Sequence, residues 1–277
     1  MRALVVIPTY NEAVTLPRVV RRILEAADGS EHDVQILVVD DASPDGTGDL
    51  ADELAAHQPG VHVLHRCAKG GLGSAYRAGF AWALQRGFQV CCEMDADESH
   101  DAADLPRLLW ALNGADLVIG SRYVPGGRVR DWPWYRRALS RGGNRYAKSV
   151  TGLPVADATS GYRTFRVEVL QALALATVHS DGYSFQLEMA LRTWRLGFRI
   201  VEVPITFVER TAGASKISRA IVFEALWRVL QWGVQGPRRA QPVHPASVVL
   251  VDHHEDRRRV SAEPRSGQLH RRPGLAR

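Results

Sequence analysis

Short apolar runs alternate with longer amphipathic stretches through the first half of the chain. The apolar runs have the length of buried strands and lie at residues 3–7, 35–39, 61–65, 90–94 and 117–120. Between them, the spacing of apolar residues predicts helices over residues 16–27, 48–57, 72–86 and 102–113. This alternation predicts an α/β fold, with a mostly parallel central sheet and helices on both of its faces.

Polar residues follow directly after each predicted strand. They occupy residues 8–12, 40–41, 66–73, 95–97 and 121–122. In an open parallel sheet, ligands bind beyond the carboxyl ends of the strands. A single cluster of this kind is often only a helix cap or a turn, but five of them at one edge predict one functional site.

The formal net charge of +5 is concentrated at one end of the chain. Residues 237–277 contain nine arginines and four acidic residues, whereas residues 1–236 are neutral overall. The terminal segment also has few large apolar residues, so we predict a folded domain over residues 1–236 and a disordered basic tail. The sequence shows no signal peptide and no apolar run of about 18 residues, which predicts a cytoplasmic protein.

Several common nucleotide-binding and hydrolytic motifs are missing from the sequence. There is no Gly-Lys dipeptide, hence no Walker A motif, and no GxGxxG follows the first predicted strand. HExxH and GxSxG are also absent. These absences exclude P-loop kinases, simple dinucleotide dehydrogenases and the common metalloprotease and serine-hydrolase types.

Two carboxylates, Asp95 and Asp97, stand two residues apart at the end of a predicted buried strand. Carboxylate oxygens in this arrangement suit Mg²⁺ or Mn²⁺ and leave coordination positions for the phosphates of a substrate. Ser99 and His100 follow, either as further ligands or as groups that position the ligands. An isolated pair of this spacing is often a turn, but its place after a strand favours a metal and diphosphate site.

Eight segments carry a resemblance to a known family. They are VVIPTYNE (5–12), VVDDASPDGT (38–47), KGGLGSAYRAGF (69–80), MDADESH (94–100), GSRYVPGG (120–127), DATSGYR (157–163), GYSFQLEM (182–189) and ERTAGASK (209–216). In this order they resemble the family 2 glycosyltransferases of GT-A fold, and among these the polyprenol-phosphate and dolichol-phosphate mannose synthases. The resemblance covers about residues 1–235. It implies inverting transfer of mannose from GDP-mannose to a polyprenyl monophosphate.

The resemblance also implies roles for individual residues. The base and ribose of the donor would be held by Pro8, Tyr10, Glu12, Val39 and Asp41, with Lys69 a further substrate-binding residue. The diphosphate and sugar would lie against Asp95, Ala96 and Asp97, with Asp97 the principal ligand of Mg²⁺ or Mn²⁺. Ser99 stands where the family often has glutamine, so it would reach the metal directly or through a water molecule. Phosphates would meet Arg122, Arg210 and Lys216, and the acceptor phosphate would meet Arg136 and Ser140.

The chemistry of a phosphate acceptor differs from that of a hydroxyl acceptor. A hydroxyl group must lose a proton as it attacks, whereas a phosphate monoester with a second pKa of about 6 is largely dianionic at neutral pH. We therefore expect no obligatory general base. Glu188 is the residue that a general-base hypothesis would choose; the alternative interpretation is an exposed or capping helix position.

Basic and aromatic residues are interleaved between positions 122 and 148, where eight basic residues accompany a single acidic one. This composition suits a membrane interface with anionic lipid headgroups, and it also suits RNA. The resemblance favours the lipid, so no nucleic-acid partner is expected. Residues 217–234 predict a short amphipathic helix that lies on the bilayer surface or packs on the core. We expect peripheral contact with the inner face of the membrane.

Two other functions fit the same motifs. The first is transfer of glucose or another hexose from a UDP-sugar to a polyprenyl phosphate. The second is a catalytically silent scaffold that binds a nucleotide sugar. The full set of charged residues, including Asp95, Asp97 and Arg122, argues against the silent scaffold because such a protein has no chemical need for it.

Overall fold

The computed structural model describes residues 1–209 and 219–234, and it contains a seven-stranded sheet. The order of the strands across this sheet is β3-β2-β1-β4-β7-β5-β8. A separate pair, β6 and β9, lies beside the sheet. The strands are β1 (Arg2–Thr9), β2 (Asp33–Asp40), β3 (Val61–His65), β4 (Val90–Glu93), β5 (Leu117–Ser121), β6 (Arg128–Val129), β7 (Arg163–Arg166), β8 (Ile200–Pro204) and β9 (Thr206–Phe207).

Most neighbouring strands of the large sheet run parallel, as the sequence predicts. Val5 of β1 lies opposite Ile36 of β2 and Cys92 of β4. Strand β7 is the exception, since it runs antiparallel to both β4 and β5. Consequently β1, β2, β4 and β5 all point their carboxyl ends at the same edge of the sheet, where the predicted polar clusters begin.

The predicted helices of the first half are present, with bounds that shift by only a few residues. The helices are α1 (Leu16–Ala27), α2 (Thr47–His57), α3 (Leu72–Gln85), α4 (Leu105–Ala111), α5 (Trp134–Thr151), α6 (Val167–Ala172), α7 (Gly182–Arg195) and α8 (Arg219–Val234). The predicted helix over residues 102–113 is the least regular, because short 3₁₀ turns flank α4 on both sides.

Successive residues of a strand belong to two separate cores, one on each face of the sheet. On β1, Leu4 and Val6 join the core beneath α3, which also contains Phe80. Val5 and its neighbours point to the opposite face, where they pack against Val20 of α1. The alternation of side chains across a strand thus confirms the prediction of helices on both faces.

Helix α8 packs on α5, which is one of the two alternatives that the sequence leaves open for residues 217–234. Val229 is buried in the core, whereas Trp227 and Val234 are exposed. Among residues 1–209 and 219–234, no helix has both the length and the hydropathy needed to cross a bilayer. The basic tail over residues 237–277 lies outside the described residues, so its predicted disorder stays a prediction.

Gly79 of α3 tests how tightly this helix packs on the sheet. A Cβ at this position would lie 2.4 Å from Cγ1 of Val6, so Gly79→Ala should lower the free energy of unfolding by about 1–3 kcal/mol. Gly142→Ala in α5 is the control: a Cβ there meets no atom within 4 Å, and the change should raise stability by up to about 1 kcal/mol. Urea unfolding measures both. A Gly79→Ala protein as stable as the wild type would contradict this packing.

Candidate active site

A cavity of about 400 Å³ opens at the carboxyl edge of the sheet, and we call it the sheet-edge cavity. Eight residues of the predicted site line it, which are Pro8, Tyr10, Glu12, Asp41, Lys69, Asp95, Ala96 and Asp97. These residues are scattered over 90 positions of sequence and come together because β1, β2 and β4 end at the same edge.

One wall of the sheet-edge cavity carries paired charges. The Asp41 carboxylate accepts hydrogen bonds from Arg66 at 2.5 Å and from the Gly70 backbone N–H at 2.9 Å. The Lys69 ammonium lies 3.7 Å from the centre of the Tyr10 ring, on the face predicted to stack against a base. Arg66 had no predicted role, although it stands in the polar cluster after β3. The structure shows that it holds Asp41 in place.

Val39 does not line the sheet-edge cavity, so its role in holding the donor stays a prediction. Its side chain is 0% exposed and belongs to the core beneath α3, next to Gly79. Val39 lies within β2, whereas Asp41 follows the last residue of the strand, Asp40, so the alternation of the strand does not fix its direction and it lines the cavity. Only the carbonyl of Val39 meets a site residue, where it accepts a hydrogen bond from the Thr9 hydroxyl at 3.4 Å.

The loop after β4 presents both predicted metal-binding carboxylates to the cavity. Asp95 Oδ1 accepts a hydrogen bond from the Tyr76 hydroxyl at 3.2 Å. Asp97 is 7% exposed, and its Oδ1 accepts from the Ser99 backbone N–H at 3.1 Å. Each carboxylate therefore has one oxygen that accepts from a neutral donor, which helps to set its orientation.

His100 contacts the backbone of the carboxylate loop. Its Nδ1 accepts a hydrogen bond from the backbone N–H of Asp95 at 3.3 Å. The ring lies against Tyr162 and Phe207, with centroid distances of 5.1 and 5.5 Å. Burial lowers the pKa of His100, so the imidazole is neutral at pH 7. This neutral ring fixes the backbone from which Asp95 projects.

The residues of this loop fit a divalent cation whose shell is completed by a substrate. Within the part of the chain that the structure describes, no three His, Cys, Asp or Glu side chains converge on one point. Two carboxylates leave positions for diphosphate oxygens, in keeping with the preference of Mg²⁺ for substrate phosphates. The Ser99 hydroxyl is 1% exposed and has no hydrogen-bond partner among the described residues. An oxygen ligand or an ordered water molecule would satisfy it.

Three loops at this edge contain non-glycine residues with a left-handed backbone. They are Asn11 after β1, Ala42 after β2 and Glu98 after β4, with φ angles of 62°, 56° and 63°. Such conformations are uncommon for residues other than glycine and collect at functional sites. Arg18 of α1 holds Glu98 through two hydrogen bonds of 2.7 and 3.1 Å. The backbone conformation of the carboxylate loop thus depends on a pair that lies outside the cavity.

A second and larger cavity, of about 770 Å³, lies between α5, α7 and α8, and we call it the helix cavity. Its lining is largely apolar and includes Leu139, Leu187 and Val229. The two cavities share Thr159 and Tyr183 in their walls, so they adjoin. Three residues predicted to meet phosphates, Arg122, Arg136 and Ser140, line the helix cavity rather than the sheet-edge cavity.

Arg122 is buried and its charge is balanced within the protein. Its guanidinium donates two hydrogen bonds of 2.7 Å to Asp157 and one of 2.9 Å to the Thr159 hydroxyl. Burial alone would raise the pKa of Asp157, but the Arg122 charge and hydrogen bonds hold that pKa below its ordinary value. A phosphate contact for Arg122 stays a prediction, because this structure commits most of its donors to Asp157 and Thr159.

The other predicted phosphate-binding residues differ in their surroundings. Arg136 forms an ion pair with Glu209 and lies 4.2 Å from the ring centre of Trp132. Its Nε is buried without a hydrogen-bond partner among the described residues. The Ser140 hydroxyl accepts from Tyr123 at 2.7 Å. Arg210 and Lys216 lie outside the described residues, so their roles stay predictions.

Glu188 is neither an exposed residue nor a cap, and that interpretation is wrong. The side chain is 5% exposed and interacts with the Ser180 hydroxyl and with Arg192, the latter at 2.5 Å. Burial arises because the middle of α7 is covered on all sides, with every residue from Ser184 to Leu191 buried. It is absent from the linings of both described cavities.

Ten residues of the sheet-edge cavity had no predicted role, including four polar ones from the second half of the chain. Thr159, Asp181, Tyr183 and Gln186 all line the sheet-edge cavity. Asp181 accepts a hydrogen bond from the Gly73 backbone N–H at 2.6 Å. Thr159, Tyr183 and Gln186 fall within two of the family-like segments, over residues 157–163 and 182–189. Their place in those segments was the available signal for these three residues. The spacing of apolar residues gives no such signal, because it does not distinguish a residue that lines a cavity from one in the core.

The Arg122–Asp157 pair can be tested through stability. Asp157→Asn leaves a buried guanidinium without its counter-charge and should lower the free energy of unfolding by about 3–5 kcal/mol at pH 7. Because folding depresses the pKa of Asp157, its contribution is complete above the unfolded value of about 4 and is lost at lower pH. The difference from the wild type should therefore shrink as the pH falls below about 4.

Urea unfolding at several pH values measures this effect. Asp52→Asn is the matched control, since Asp52 forms an exposed pair with His65 and should change stability by less than about 1 kcal/mol. An Asp157→Asn protein that unfolds like Asp52→Asn would contradict a structural role for the buried pair.

Solved structures confirm the fold. A crystal structure of glucosyl-3-phosphoglycerate synthase from Mycobacterium tuberculosis, in complex with Mg²⁺ and uridine diphosphate, superposes with a TM-score of 0.57. The superposition covers 87% of this chain and 80% of that one, at 21% sequence identity. The α/β architecture of GT-A type is therefore shared, as predicted.

Two curated relatives align with most of the chain. An undecaprenyl-phosphate mannosyltransferase of Micrococcus luteus is 55% identical over 84% of this chain and 95% of its own length. A polyprenol monophosphomannose synthase of Mycolicibacterium smegmatis is 54% identical over 85% of this chain and 88% of its own. The sequence model for "Glycosyl transferase family 2" matches residues 4–174, a span that holds Asp95, Asp97 and most of the sheet-edge cavity. By its sequence, its fold and the placement of these carboxylates, the chain belongs to glycosyl transferase family 2.

Proposed function

We propose that this enzyme transfers mannose from GDP-mannose to a polyprenyl monophosphate, with inversion at the anomeric carbon. The observation that carries the proposal is the junction of two unlike cavities at Thr159 and Tyr183. One cavity presents carboxylates suited to a metal and diphosphate, and the other is apolar with cations in its wall. The names of the two mannosyl-transferring relatives support the same reaction.

The sheet-edge cavity suits the donor. Pro8, Tyr10, Glu12 and Asp41 form the end of the cavity that would receive the base and ribose, and Lys69 adds a positive charge for the phosphates. Asp95 and Asp97 would hold Mg²⁺ or Mn²⁺, with Ser99 as a direct or water-mediated contact. When bound, such a cation would neutralise charge that develops on the departing diphosphate. The Mg²⁺ in the related crystal structure supports this assignment.

The helix cavity suits the acceptor. Its apolar lining would take the first isoprene units of the lipid, while Arg136 and Ser140 would meet the lipid phosphate. Arg122 stands in the same cavity and would orient the phosphate-binding region through its pairing with Asp157. We assign Arg210 and Lys216 to the phosphates as well, on the family resemblance alone.

The reaction itself needs no side chain to remove a proton. A phosphate oxygen of the acceptor attacks the anomeric carbon as the bond from that carbon to the GDP oxygen breaks. The negative charge of the nucleophile passes to the leaving diphosphate, so no proton has to be transferred. The role of the protein is to align the two phosphates across the sugar and to stabilise the leaving group.

An exposed apolar face surrounds the helix cavity and would contact the membrane peripherally. It consists of Trp134, Tyr135 and Leu139 on α5 together with Trp227 and Leu230 on α8. Tryptophan and tyrosine favour the interface between headgroups and acyl chains. Five nearby arginines would attract the anionic headgroups of the inner leaflet, and they are Arg128, Arg130, Arg137, Arg141 and Arg145. Residues 237–277 have no part in this proposal and should be dispensable for turnover.

The proposal is tested by incubating the purified chain with radiolabelled GDP-mannose, Mg²⁺ and a short polyprenyl phosphate. Lipid-extractable label is the expected result, and parallel reactions with UDP-glucose report on the alternative donor. If only the reaction with UDP-glucose gives lipid-extractable label, the enzyme transfers glucose and not mannose. Binding of nucleotide sugars without any transfer would favour the silent scaffold.

Removal of the metal site should abolish transfer. Asp97→Ala should reduce the rate at least about 100-fold, and Asp95→Ala nearly as much, because the diphosphate loses its counter-ion at the moment of departure. Excess chelator should have the same effect on the wild type and should be reversed by Mg²⁺. Asp52→Asn, which removes an exposed carboxylate of α2, should keep wild-type turnover. Full activity in excess chelator would exclude a metal from the reaction.

Neutralising Glu188 should leave most of the activity. Since a dianionic phosphate carries no proton at its attacking oxygen, Glu188→Gln should retain turnover within about tenfold, whereas loss of a true general base costs about 10²–10⁴. The rate per folded molecule is measured against pH, and it should fall as the acceptor phosphate is protonated near its pKa of about 6. A folded Glu188→Gln enzyme that binds GDP and yet has no activity would point to a hydroxyl acceptor.

A further inference from the structure

Helices α3 and α7 begin side by side at the wall of the sheet-edge cavity, and one carboxylate joins them. Asp181 stands at the N-cap of α7, where the side chain of an aspartate usually accepts a hydrogen bond from its own helix. It makes no such bond. Its Oδ1 accepts instead from the backbone N–H of Gly73 in α3, at 2.6 Å and across 108 positions of sequence. Asp181 also lines the cavity.

Helix α3 has no capping side chain of its own. Its N-cap residue is Gly71, and the Gly73 N–H belongs to the first turn, where an N-cap side chain normally accepts. Asp181 therefore caps α3 from a distant part of the chain. Its negative charge lies at the end of α3 where the helix dipole favours it.

The two glycines of α3 make room for this contact. Gly71 has a φ of 88°, and a Cβ on it would lie 2.0 Å from Oδ2 of Asp181. A Cβ on Gly73 would lie 2.8 Å from the carbonyl oxygen of Ser180 and 2.9 Å from the Phe185 ring. The carboxylate thus fits into space that only glycine leaves open at the start of α3.

The capped end of α3 closes the loop over residues 66–73, which carries Lys69. Directly after Lys69, the Gly70 backbone N–H donates to Asp41 at 2.9 Å. The contact with Asp181 follows three residues later. Two carboxylates, one from the end of β2 and one from the start of α7, therefore hold the backbone that presents the Lys69 ammonium to the sheet-edge cavity.

We propose that Asp181 is a positioning residue for the donor. By capping α3 it keeps the loop over residues 66–73 in the conformation in which Lys69 meets the diphosphate. Asp181 acts through the backbone of this loop and does not itself contact the substrate. The identity of the donor as GDP-mannose rests on the proposed function. A protein in which the loop is displaced part of the time binds the donor more weakly, in proportion to the fraction of molecules that keep it in place.

The test compares two substitutions at position 181. Asp181→Ala removes the acceptor and should raise the KM for GDP-mannose, and the calorimetric Kd for GDP with Mg²⁺, by about five- to tenfold. The kcat and the KM for the polyprenyl phosphate should each change less than about threefold. Asp181→Asn keeps an oxygen that can accept from Gly73, and asparagine caps helices as well as aspartate does. It should stay within about twofold of the wild type in every measurement.

A double-mutant cycle shows whether Asp181 acts through Lys69. Lys69→Met removes the ammonium and should by itself weaken the binding of GDP about tenfold. In Asp181→Ala the loop is already displaced, so the ammonium has less affinity to contribute. Adding Lys69→Met to Asp181→Ala should therefore cost at least about threefold less than it costs in the wild type.

Two further variants separate positioning from a general loss of stability. Asp116→Ala is the matched control, because Asp116 also accepts from a backbone N–H, that of Arg199 at 2.7 Å, and lines neither described cavity. It should keep the affinity for GDP within about twofold of the wild type, whatever it costs in stability. Asp181→Ser serves if Asp181→Ala does not fold. Serine still suits the N-cap of α7, but its oxygen is withdrawn from Gly73, so the donor KM should rise as in Asp181→Ala.

Three results would overturn the proposal. They are an Asp181→Ala protein with the wild-type affinity for GDP, an Asp181→Asn protein as impaired as Asp181→Ala, and a full cost of Lys69→Met in the Asp181→Ala background. The second would indicate that the charge of Asp181 contacts the substrate or the metal directly. Failure of the proposed function has a different signature, namely a wild type that binds nucleotide and transfers no mannose. Calorimetry with GDP, or with UDP if that nucleotide binds instead, then still decides the role of Asp181.

Discussion

The buried ion pair between Arg122 and Asp157 is the interaction on which both cavities depend. Arg122 follows the carboxyl end of β5, and Asp157 lies in the loop that precedes β7. The backbone N–H groups of Ala156 and Asp157 also donate to Glu202 of β8, at 2.7 and 2.9 Å. Three segments that are distant in sequence are thereby joined at one point. This loop continues into Thr159 and Gly161, which stand between the carboxylates and the apolar cavity.

A second constraint acts at the opposite side of the sheet edge, where the loops after β1, β2 and β4 adopt left-handed backbone conformations. These conformations persist because side chains from neighbouring elements hold them, as Arg18 holds Glu98 and the Ser43 hydroxyl holds the backbone of Asn11. The cost in conformational energy is offset by the surrounding contacts. The result is a rigid floor from which the carboxylates of Asp95 and Asp97 project at fixed angles.

The first half of the fold was predictable because its signals are local. Apolar runs and helical spacing gave α1 with the bounds that the structure shows, and the five polar clusters correctly indicated one edge of the sheet. Strand β7 escaped prediction because it is short and antiparallel, and its direction depends on tertiary connections. Val39 shows the complementary limit, since a motif can assign a role to a residue without showing that its side chain is buried in the core.

Under the proposed function, the wall of α7 that the two cavities share would make the stability of the donor depend on the presence of the acceptor. A lipid seated in the helix cavity would cover one side of the sugar and exclude water from the anomeric carbon. In an enzyme without lipid, Thr159 and Tyr183 leave that side open toward a cavity of about 770 Å³. Hydrolysis of the donor would then compete with transfer. Under the proposed function, lipid in the helix cavity would thus shield the activated sugar from hydrolysis as well as accept it.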